Sequence, residues 1–292
     1  ASEGMREVSM ALSKYGIEDS RKEAETIMTE CLGLERVALY RDDPLLSPFQ
    51  VDTLRKVVER RGRREPIQYI IGHVNFLGLI LEVGPGVLIP RPETELVVEE
   101  VIKTVRSLQS KVISQQNPGQ SDTARRMKIL DLCTGSGCLA IALAKAFPRA
   151  EVVGTDISET ALGYATQNAR RNSIGNVTFL KGNLFEPLQG MRFDVVVTNP
   201  PYIREAEIRG LQREICEWEP REALEGGSDG LRFYREILLS IGRYMKEGGF
   251  MVMEVGDGEA GDVASIAKLL GFENLSIHKD YSAVERIIHI AF

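Results

Sequence analysis

The sequence predicts an α/β fold built on a doubly wound, mainly parallel sheet and preceded by a small helical bundle. Two observations carry that expectation. From Lys128 onward, short apolar runs alternate with helical segments of roughly 10 to 15 residues, the spacing of parallel strands joined by crossover helices. Before them, residues 1 to about 66 carry apolar positions three and four apart, with recognisable helix start and stop signals.

Val8, Ala11, Leu12 and Tyr15 mark a first helix. Ser20 and Glu23 read as a capping box for a second, with Ala24, Ile27, Met28, Cys31 and Leu32 on one face and Gly33 as the stop. Ser47, Pro48 and Gln50 repeat the start signal for a helix through Leu54, Val57 and Val58 to Gly62. From His73 to Val83 the texture becomes that of two short strands turning near Gly78. After Gly84-Pro85-Gly86, Pro90 and Pro92 hold the backbone near Arg91 extended, and Thr94 is placed to cap the following helix. Residues 107 to 126 are polar without an apolar period and read as a surface insertion. Strands are then expected at 128–132, 151–156, 177–180, 193–198, 249–254 and 286–292, with 193–198 apolar enough for a sheet centre.

Composition limits the function. With 292 residues, 43% hydrophobic and 27% charged, the chain is neither a disordered tail nor a fibre. No stretch approaches the roughly 20 apolar residues of a membrane span, and Ala1–Met10 lacks the apolar core of an export signal, so a cytoplasmic protein is expected. Cys31, Cys133, Cys138 and Cys216 form no CxxC pair, which argues against a disulfide framework or a zinc site. His73, His278 and His289 share no spacing with one another or with carboxylates, so no metal is expected. A net charge of −6 disfavours extended tracking along nucleic acid. The one basic cluster, Arg60, Arg61, Arg63 and Arg64, reads as a solvated helix end.

Chemistry concentrates at two places. Asp131-Leu-Cys133-Thr134-Gly135-Ser136-Gly137 lies between a strand and a helix, where glycines allow a tight turn and close approach of a ligand to the backbone. The next strand ends in Asp156, placed to accept hydrogen bonds from both ribose hydroxyls of a nucleoside. Gly135-x-Gly137-x-x-Ala140 also satisfies a dinucleotide fingerprint, so the turn alone leaves NAD and S-adenosylmethionine open. Asp131 favours the latter, since a carboxylate attracts a cationic amino end and sits poorly beside a pyrophosphate.

The second place is Asn199-Pro200-Pro201-Tyr202, at the carboxyl end of the central apolar strand and hence on the same crevice. An amide or aromatic amine is a poor nucleophile because its lone pair is delocalised. Two acceptors aimed at its two hydrogens, the Asn199 side-chain oxygen and the Pro200 carbonyl, favour pyramidalisation as a bond forms. The prolines stiffen the loop, and Tyr202 can lie flat on a planar group. With an activated sulfonium as donor, orientation does most of the work.

These residues resemble a known family. Ile89–Glu95, Leu130–Gly137, Asn199–Tyr202 and Lys279–Ser282 with Arg286 look like the HemK/PrmC enzymes, the glutamine N5-methyltransferases of class I peptide-chain release factors. The resemblance spans essentially the whole chain. It implies a Rossmann-like class I methyltransferase domain with a seven-stranded mixed sheet whose last strand is antiparallel. It further implies a helical substrate-recognition domain at 1–70, a β-hairpin connector at 71–86 and the catalytic domain at 87–292. Carried over, it makes Cys133, Thr134, Gly135, Ser136, Gly137, Asp156, Asn183 and Leu184 contacts of S-adenosylmethionine, with Leu184 beside the adenine. Asn199 would touch cofactor and substrate, and Asn199, Pro200, Pro201 and Tyr202 would hold the glutamine of a Gly-Gly-Gln motif. The family's first loop glycine is Cys133 here, a departure at the point of closest backbone approach.

Other readings stay open at this stage. An adenine-N6 nucleic-acid methyltransferase would use the same Asn199–Tyr202 chemistry, and an NAD-dependent oxidoreductase would use the Gly135–Ala140 turn. A non-catalytic module that binds translation factors is a third. Trp218 could line a substrate entrance, Gly226-Gly227 and Asp229-Gly230 suggest a flexible loop with the composition of a lid, and Glu214, Glu217, Glu219 and Glu222 read as solvated.

Overall fold

A computed structural model describes residues 1–115 and 126–292, the side chains of 111–115 excepted. The chain forms two compact units, Ala1–His73 with Gln212–Trp218, and Val74–Leu211 with Glu219–Phe292. No helix among the described residues is long and apolar enough to cross a membrane.

The first unit contains α1 (Ser2–Lys14), α2 (Ser20–Thr26, continuing as a π-helical turn over Ile27–Cys31), α3 (Arg36–Arg41), α4 (Pro48–Gly62) and α5 (Ile67–Ile71). Gln212–Trp218 adds the short α9 (Arg213–Cys216). Val8, Leu12, Ile27, Met28, Leu39 and Leu54 make its core. The capping box at Ser47 forms as expected, its hydroxyl accepting from Gln50 N while Gln50 Oε1 accepts from Ser47 N. The box at Ser20 does not, because Asp19 is the residue before the helix and no side chain caps it. The arginine cluster also departs from expectation. Arg61 continues the buried Leu54–Val57 stripe of α4, so its guanidinium points inward, where it pairs with Glu23 at 2.7 Å and Glu214 at 2.8 Å. Arg64 shares Glu214, and Arg60 holds Glu65. Arg60 and Arg63 are exposed, whereas Arg61 is buried and Arg64 half-buried, and Glu214, its side chain 14% exposed, is a largely sequestered counter-ion, not a solvated one.

The second unit opens with the hairpin β1 (His73–Phe76) and β2 (Leu79–Glu82). Phe76, Leu79 and Leu81 are buried, and the N–H groups of Ile80 and Glu82 donate to Asn172 and Asn168. Then follow α6 (Glu95–Gln115), β3 (Lys128–Leu132), α7 (Cys138–Ala146), β4 (Glu151–Asp156), α8 (Glu159–Arg171), β5 (Val177–Lys181), β6 (Phe193–Thr198), α10 (Arg232–Ser240), β7 (Met245–Glu254), α11 (Ala260–Leu269), β8 (Leu275–Lys279) and β9 (Glu285–Ala291). Helix α6 runs through 107–115, so that part of the expected insertion is helical; 116–125 lie outside the described residues.

The seven strands order as β5-β4-β3-β6-β7-β9-β8, all running the same way except β9, which lies antiparallel between β7 and β8. Alternation divides the core between the two faces: Val195 and Val197 join the α6–α7 cluster, and Val196 joins the cluster with α10 and α11. The register aligns the carboxyl ends. Leu132 pairs with both Thr155 and Thr198, and Thr198 with Met253, so Cys133, Asp156, Asn199 and Glu254 emerge along one edge of the sheet.

Candidate active site

The turn after β3 is built on left-handed backbone. Gly135 has φ +54° and Gly137 φ +82°, and a Cβ on Gly137 would lie 2.9 Å from Ile141 Cδ1 and 3.0 Å from Ala165 Cβ. Cys133, standing where the resembled family has glycine, also adopts left-handed φ, +58°, at a cost of about 1 kcal/mol for a residue with a Cβ. Asp131 braces the turn, its Oδ2 accepting from the Thr134 hydroxyl at 2.5 Å and Ala140 N at 3.1 Å. Its Oδ1 is buried and has no hydrogen-bond partner among the described residues. Burial pushes the Asp131 carboxyl up to about 7 despite those two donors. At the end of β4, Asp156 accepts from Gly135 N at 2.8 Å and Ser158 N at 2.9 Å, and burial raises its pKa too.

These groups meet in a crevice of about 670 Å³ counted out to its open mouth, a size that suits a small organic ligand. Of the expected cofactor residues, Cys133, Gly135, Asp156, Asn183, Leu184 and Asn199 line it, and Pro201 joins them. Thr134 and Ser136 line a smaller adjoining recess that shares Cys133, Gly135 and Asn199 with the first. Gly137 supports the turn from behind without entering either wall. Pro200 is buried, and Tyr202, partly buried against the core with its hydroxyl pKa raised by burial, lines neither space. Ile157, 61% exposed beside Asp156, and Phe233 give the crevice an apolar wall the motifs did not reveal. An exposed apolar residue directly after a strand-end acid was the available signal for Ile157; Phe233 had none.

Behind Asn199 lies a chain of hydrogen bonds. Asn199 Nδ2 donates to Thr94 Oγ1 at 3.1 Å, and the Thr94 hydroxyl donates to Glu254 Oε2 at 2.7 Å. Thr94 and Glu254 are almost fully buried, and burial pushes the Glu254 carboxyl up to about 7. Thr94 is therefore not the helix cap expected: Pro92–Thr94 form a 3-10 turn before α6, and the hydroxyl is turned inward. With Glu254 ionised the hydroxyl must donate to it, so Thr94 can only accept from Asn199. In that ionised state the Asn199 amide faces one way and keeps its Oδ1 as an acceptor.

Three further expectations change. Glu219 is buried, accepting from Arg91 at 2.5 Å and from Ile89 N, so it clamps the Ile89–Glu95 segment; Glu222 lines the crevice. The glycine loop is packed on the Asn199–Tyr202 segment: Gly226 N donates to Ile203 O, Glu205 N donates to Gly227 O, and a Cβ on Gly226 would lie 2.7 Å from Tyr202 Cα. Its glycines serve close approach. His278 and His289 do share a carboxylate, Glu100, whereas His73 lies by Glu30 in the first unit. Trp218 belongs to the first unit and is half-buried.

The donor set fits a nucleoside with a cationic tail: a carboxylate at the crevice wall for a ribose, apolar walls for a base, and, buried behind the turn and outside the crevice lining, the Asp131 carboxylate with one unpartnered oxygen. Comparison with known proteins agrees. A family model described as a PrmC N-terminal domain matches residues 3–72, and one described as a methyltransferase domain matches 124–280. The release factor glutamine methyltransferase of Thermodesulfovibrio yellowstonii is 42% identical, over 91% of this chain and 91% of that protein. The chain belongs to the release factor glutamine methyltransferase family. The relative of the same name from Geobacter sulfurreducens is 41% identical over 95% of this chain and 91% of its own length. A methyltransferase crystal structure from Pyrococcus furiosus, 19% identical, superposes with a TM-score of 0.52 over 80% of this chain and 98% of that one, which supports the fold alone. Neither the oxidoreductase reading nor the adenine-N6 reading is favoured by these relatives.

Proposed function

We propose that this enzyme transfers the methyl group of S-adenosylmethionine to the side-chain nitrogen N5 of the glutamine in the Gly-Gly-Gln motif of a class I peptide-chain release factor. The reading rests on one observation above others: Asp156 and Asn199, at strand ends flanking β3, line a single crevice in a chain whose relatives carry that activity in their names. When bound, S-adenosylmethionine supplies an electrophilic methyl on a sulfonium that departs as a neutral thioether. Asp156 would hold the ribose, Ile157 and Leu184 would flank the base, and the buried Asp131 carboxylate would favour the ammonium of the amino-acid end through its charge from behind the turn. Cys133 to Gly137 shape the turn against which that end lies.

Asn199 Oδ1 and the Pro200 carbonyl accept hydrogen bonds from the two N–H groups of the target amide, which draws its lone pair out of conjugation and towards the methyl carbon, and one of those hydrogens then leaves as a proton to solvent. Thr94 and Glu254 act through Asn199 as positioning residues. Pro201 keeps the loop from adjusting, so little order is gained on binding. Tyr202, packed beside Gly256, supports the loop as well as any planar contact it makes with the substrate. The helical part, residues 1–70, docks the release factor, 71–86 connect, and 87–292 carry the chemistry; Gln212–Trp218, compact with the first unit, extends the docking part. The enzyme works in translation termination and in the cytoplasm.

The test is methyl transfer from labelled S-adenosylmethionine to purified release factor, to the same factor with the motif glutamine changed to alanine, and to nucleic acid. Label is expected on the first alone. Label that persists on the alanine factor, or that prefers nucleic acid, would overturn the substrate assignment.

A further inference from the structure

Outside the crevice, one group of side chains among the described residues has the composition of a metal site. Strands β8 and β9 pair antiparallel with Ser276 opposite His289, so Ser276, His278 and His289 share one face of the hairpin. Helix α6 places Glu100 on that face. Glu100 Oε1 lies 3.3 Å from His289 Nδ1, Glu100 Oε2 lies 3.7 Å from His278 Nδ1, and one ligand atom from each residue falls within 4.8 Å of the others. The side chains are mostly sequestered, with 11% of Glu100, 16% of His289 and 30% of His278 exposed.

We propose that Glu100, His278 and His289 bind a late first-row divalent cation of the Zn2+ type, fastening α6 to the C-terminal hairpin. Two imidazoles with one carboxylate are a borderline donor set that selects Zn2+, Ni2+ or Cu2+ over Mg2+ and Ca2+. The 3.3 and 3.7 Å separations run to different oxygens of Glu100, and each is close to the ligand–ligand distance of a tetrahedron drawn at metal–ligand distances of about 2.1 Å. Small side-chain rotations would bring one carboxylate oxygen and both Nδ1 atoms onto a shared cation, with water as the fourth ligand. Supporting contacts are also present. His278 Nε2 lies 2.9 Å from Ser276 Oγ, which lets that nitrogen carry the proton and keeps Nδ1 free to ligate, while Thr104 donates to Glu100 Oε1. The competing cation is Lys103, 3.0 Å from Glu100 Oε2, but its side chain is 70% exposed and such a surface pair yields readily.

The experiment titrates Co2+ and Zn2+ into the untagged full chain. About one Co2+ is expected, with the intense visible bands of tetrahedral coordination and no thiolate charge-transfer band, and Zn2+ displaces it. The double change His278→Ala/His289→Ala weakens binding more than about 100-fold, and Ser276→Ala, which leaves all three ligands in place, weakens it about tenfold. Saturating Zn2+ at 100 times Kd raises the melting temperature of wild type by roughly 5 °C and leaves that of the double variant unchanged. Glu100→Gln, which keeps size and loses charge, decides the matter should the double variant not fold. Wild-type affinity in Glu100→Gln or in the double variant, or a thiolate band showing that the cysteines bind instead, would overturn the assignment.

Discussion

Changing Thr94 to valine removes one hydroxyl and keeps the shape of the side chain, and it should cripple turnover without emptying the cofactor crevice. Thr94 Oγ1 lies 3.1 Å from Asn199 Nδ2 and 2.7 Å from Glu254 Oε2, so a single atom holds both ends of the chain. Losing it leaves a buried amide donor without its acceptor, worth about 1–3 kcal/mol, and strips a hydrogen bond from a buried carboxyl. The Asn199 amide is then free to turn over and present its NH2 to the NH2 of the substrate. If about 1.4–2.8 kcal/mol of that loss appears only when the target nitrogen pyramidalises, kcat drops about 10- to 100-fold. S-adenosylhomocysteine affinity, measured by calorimetry, should stay within about threefold, since the ribose and base contacts are untouched. Thr94→Ser, which restores the hydroxyl, should recover most of the rate, an outcome that a general packing defect does not produce. A Thr94→Val enzyme with wild-type kcat, or a serine variant as slow as the valine one, would refute the orienting chain.

Other outcomes follow from the same geometry. Asn199→Ala should abolish methyl transfer while S-adenosylhomocysteine affinity stays within about tenfold, roughly 1.4 kcal/mol; retained turnover would move the acceptor pair elsewhere. Gly226→Ala puts a Cβ against the backbone of Tyr202 and the carbonyl of Gly230, neither of which can swing aside, so a stability loss of about 1–3 kcal/mol and slower turnover should appear together in melting and rate assays. Glu254 is held near 7 by burial, above its unfolded value of 4.5, so the folded chain keeps a proton that the unfolded chain releases and this group's contribution to stability falls as pH rises from 4.5 through 7. His289, lowered by burial, works in the opposite direction, so the comparison must be with Glu254→Gln, which keeps an acceptor for Thr94 and removes the titration. The wild-type melting temperature should fall relative to that variant between pH 5 and 8; parallel curves would contradict a buried, titrating Glu254.

Much of this architecture was legible because buried parallel strands advertise themselves. Phe193–Thr198 is nearly all apolar since both faces are covered, and Lys128–Leu132 and Glu151–Asp156 end in the residues that matter. Strand β8 escaped the pattern because it lies at the sheet edge, where Ser276, His278 and Lys279 interrupt the apolar alternation. The glycine turn and Asn199–Pro201 were legible since each acts through local backbone shape. Thr94 was not. A threonine before a helix looks like a cap, and its actual partner is 160 residues away. Arg91 and Glu219, 128 residues apart, and Arg61 with Glu214 are hidden for the same reason: an ion pair closed by the fold leaves no period in the sequence. The histidines illustrate it again, for only the β8–β9 register puts His278 and His289 on one face.

The sheet order itself limits which cofactor the crevice can serve. Asp156 ends β4 and Asn199 follows β6, with β3 alone between them, so two strand spacings, roughly 10 Å, separate the carboxylate proposed to hold a ribose from the amide proposed to orient the acceptor. A ribose, its exocyclic carbon and a sulfonium methyl fill a distance of that order. A dinucleotide overshoots it, because its reactive ring lies beyond a pyrophosphate and a second ribose, and the recess next to Gly135 is already bounded by Cys133, Thr134 and Ser136. The glycine pattern that leaves the cofactor ambiguous in the sequence therefore sits in a setting that favours S-adenosylmethionine, with the strand-end carboxylate Asp156 on one side and the proline-locked Asn199 on the other.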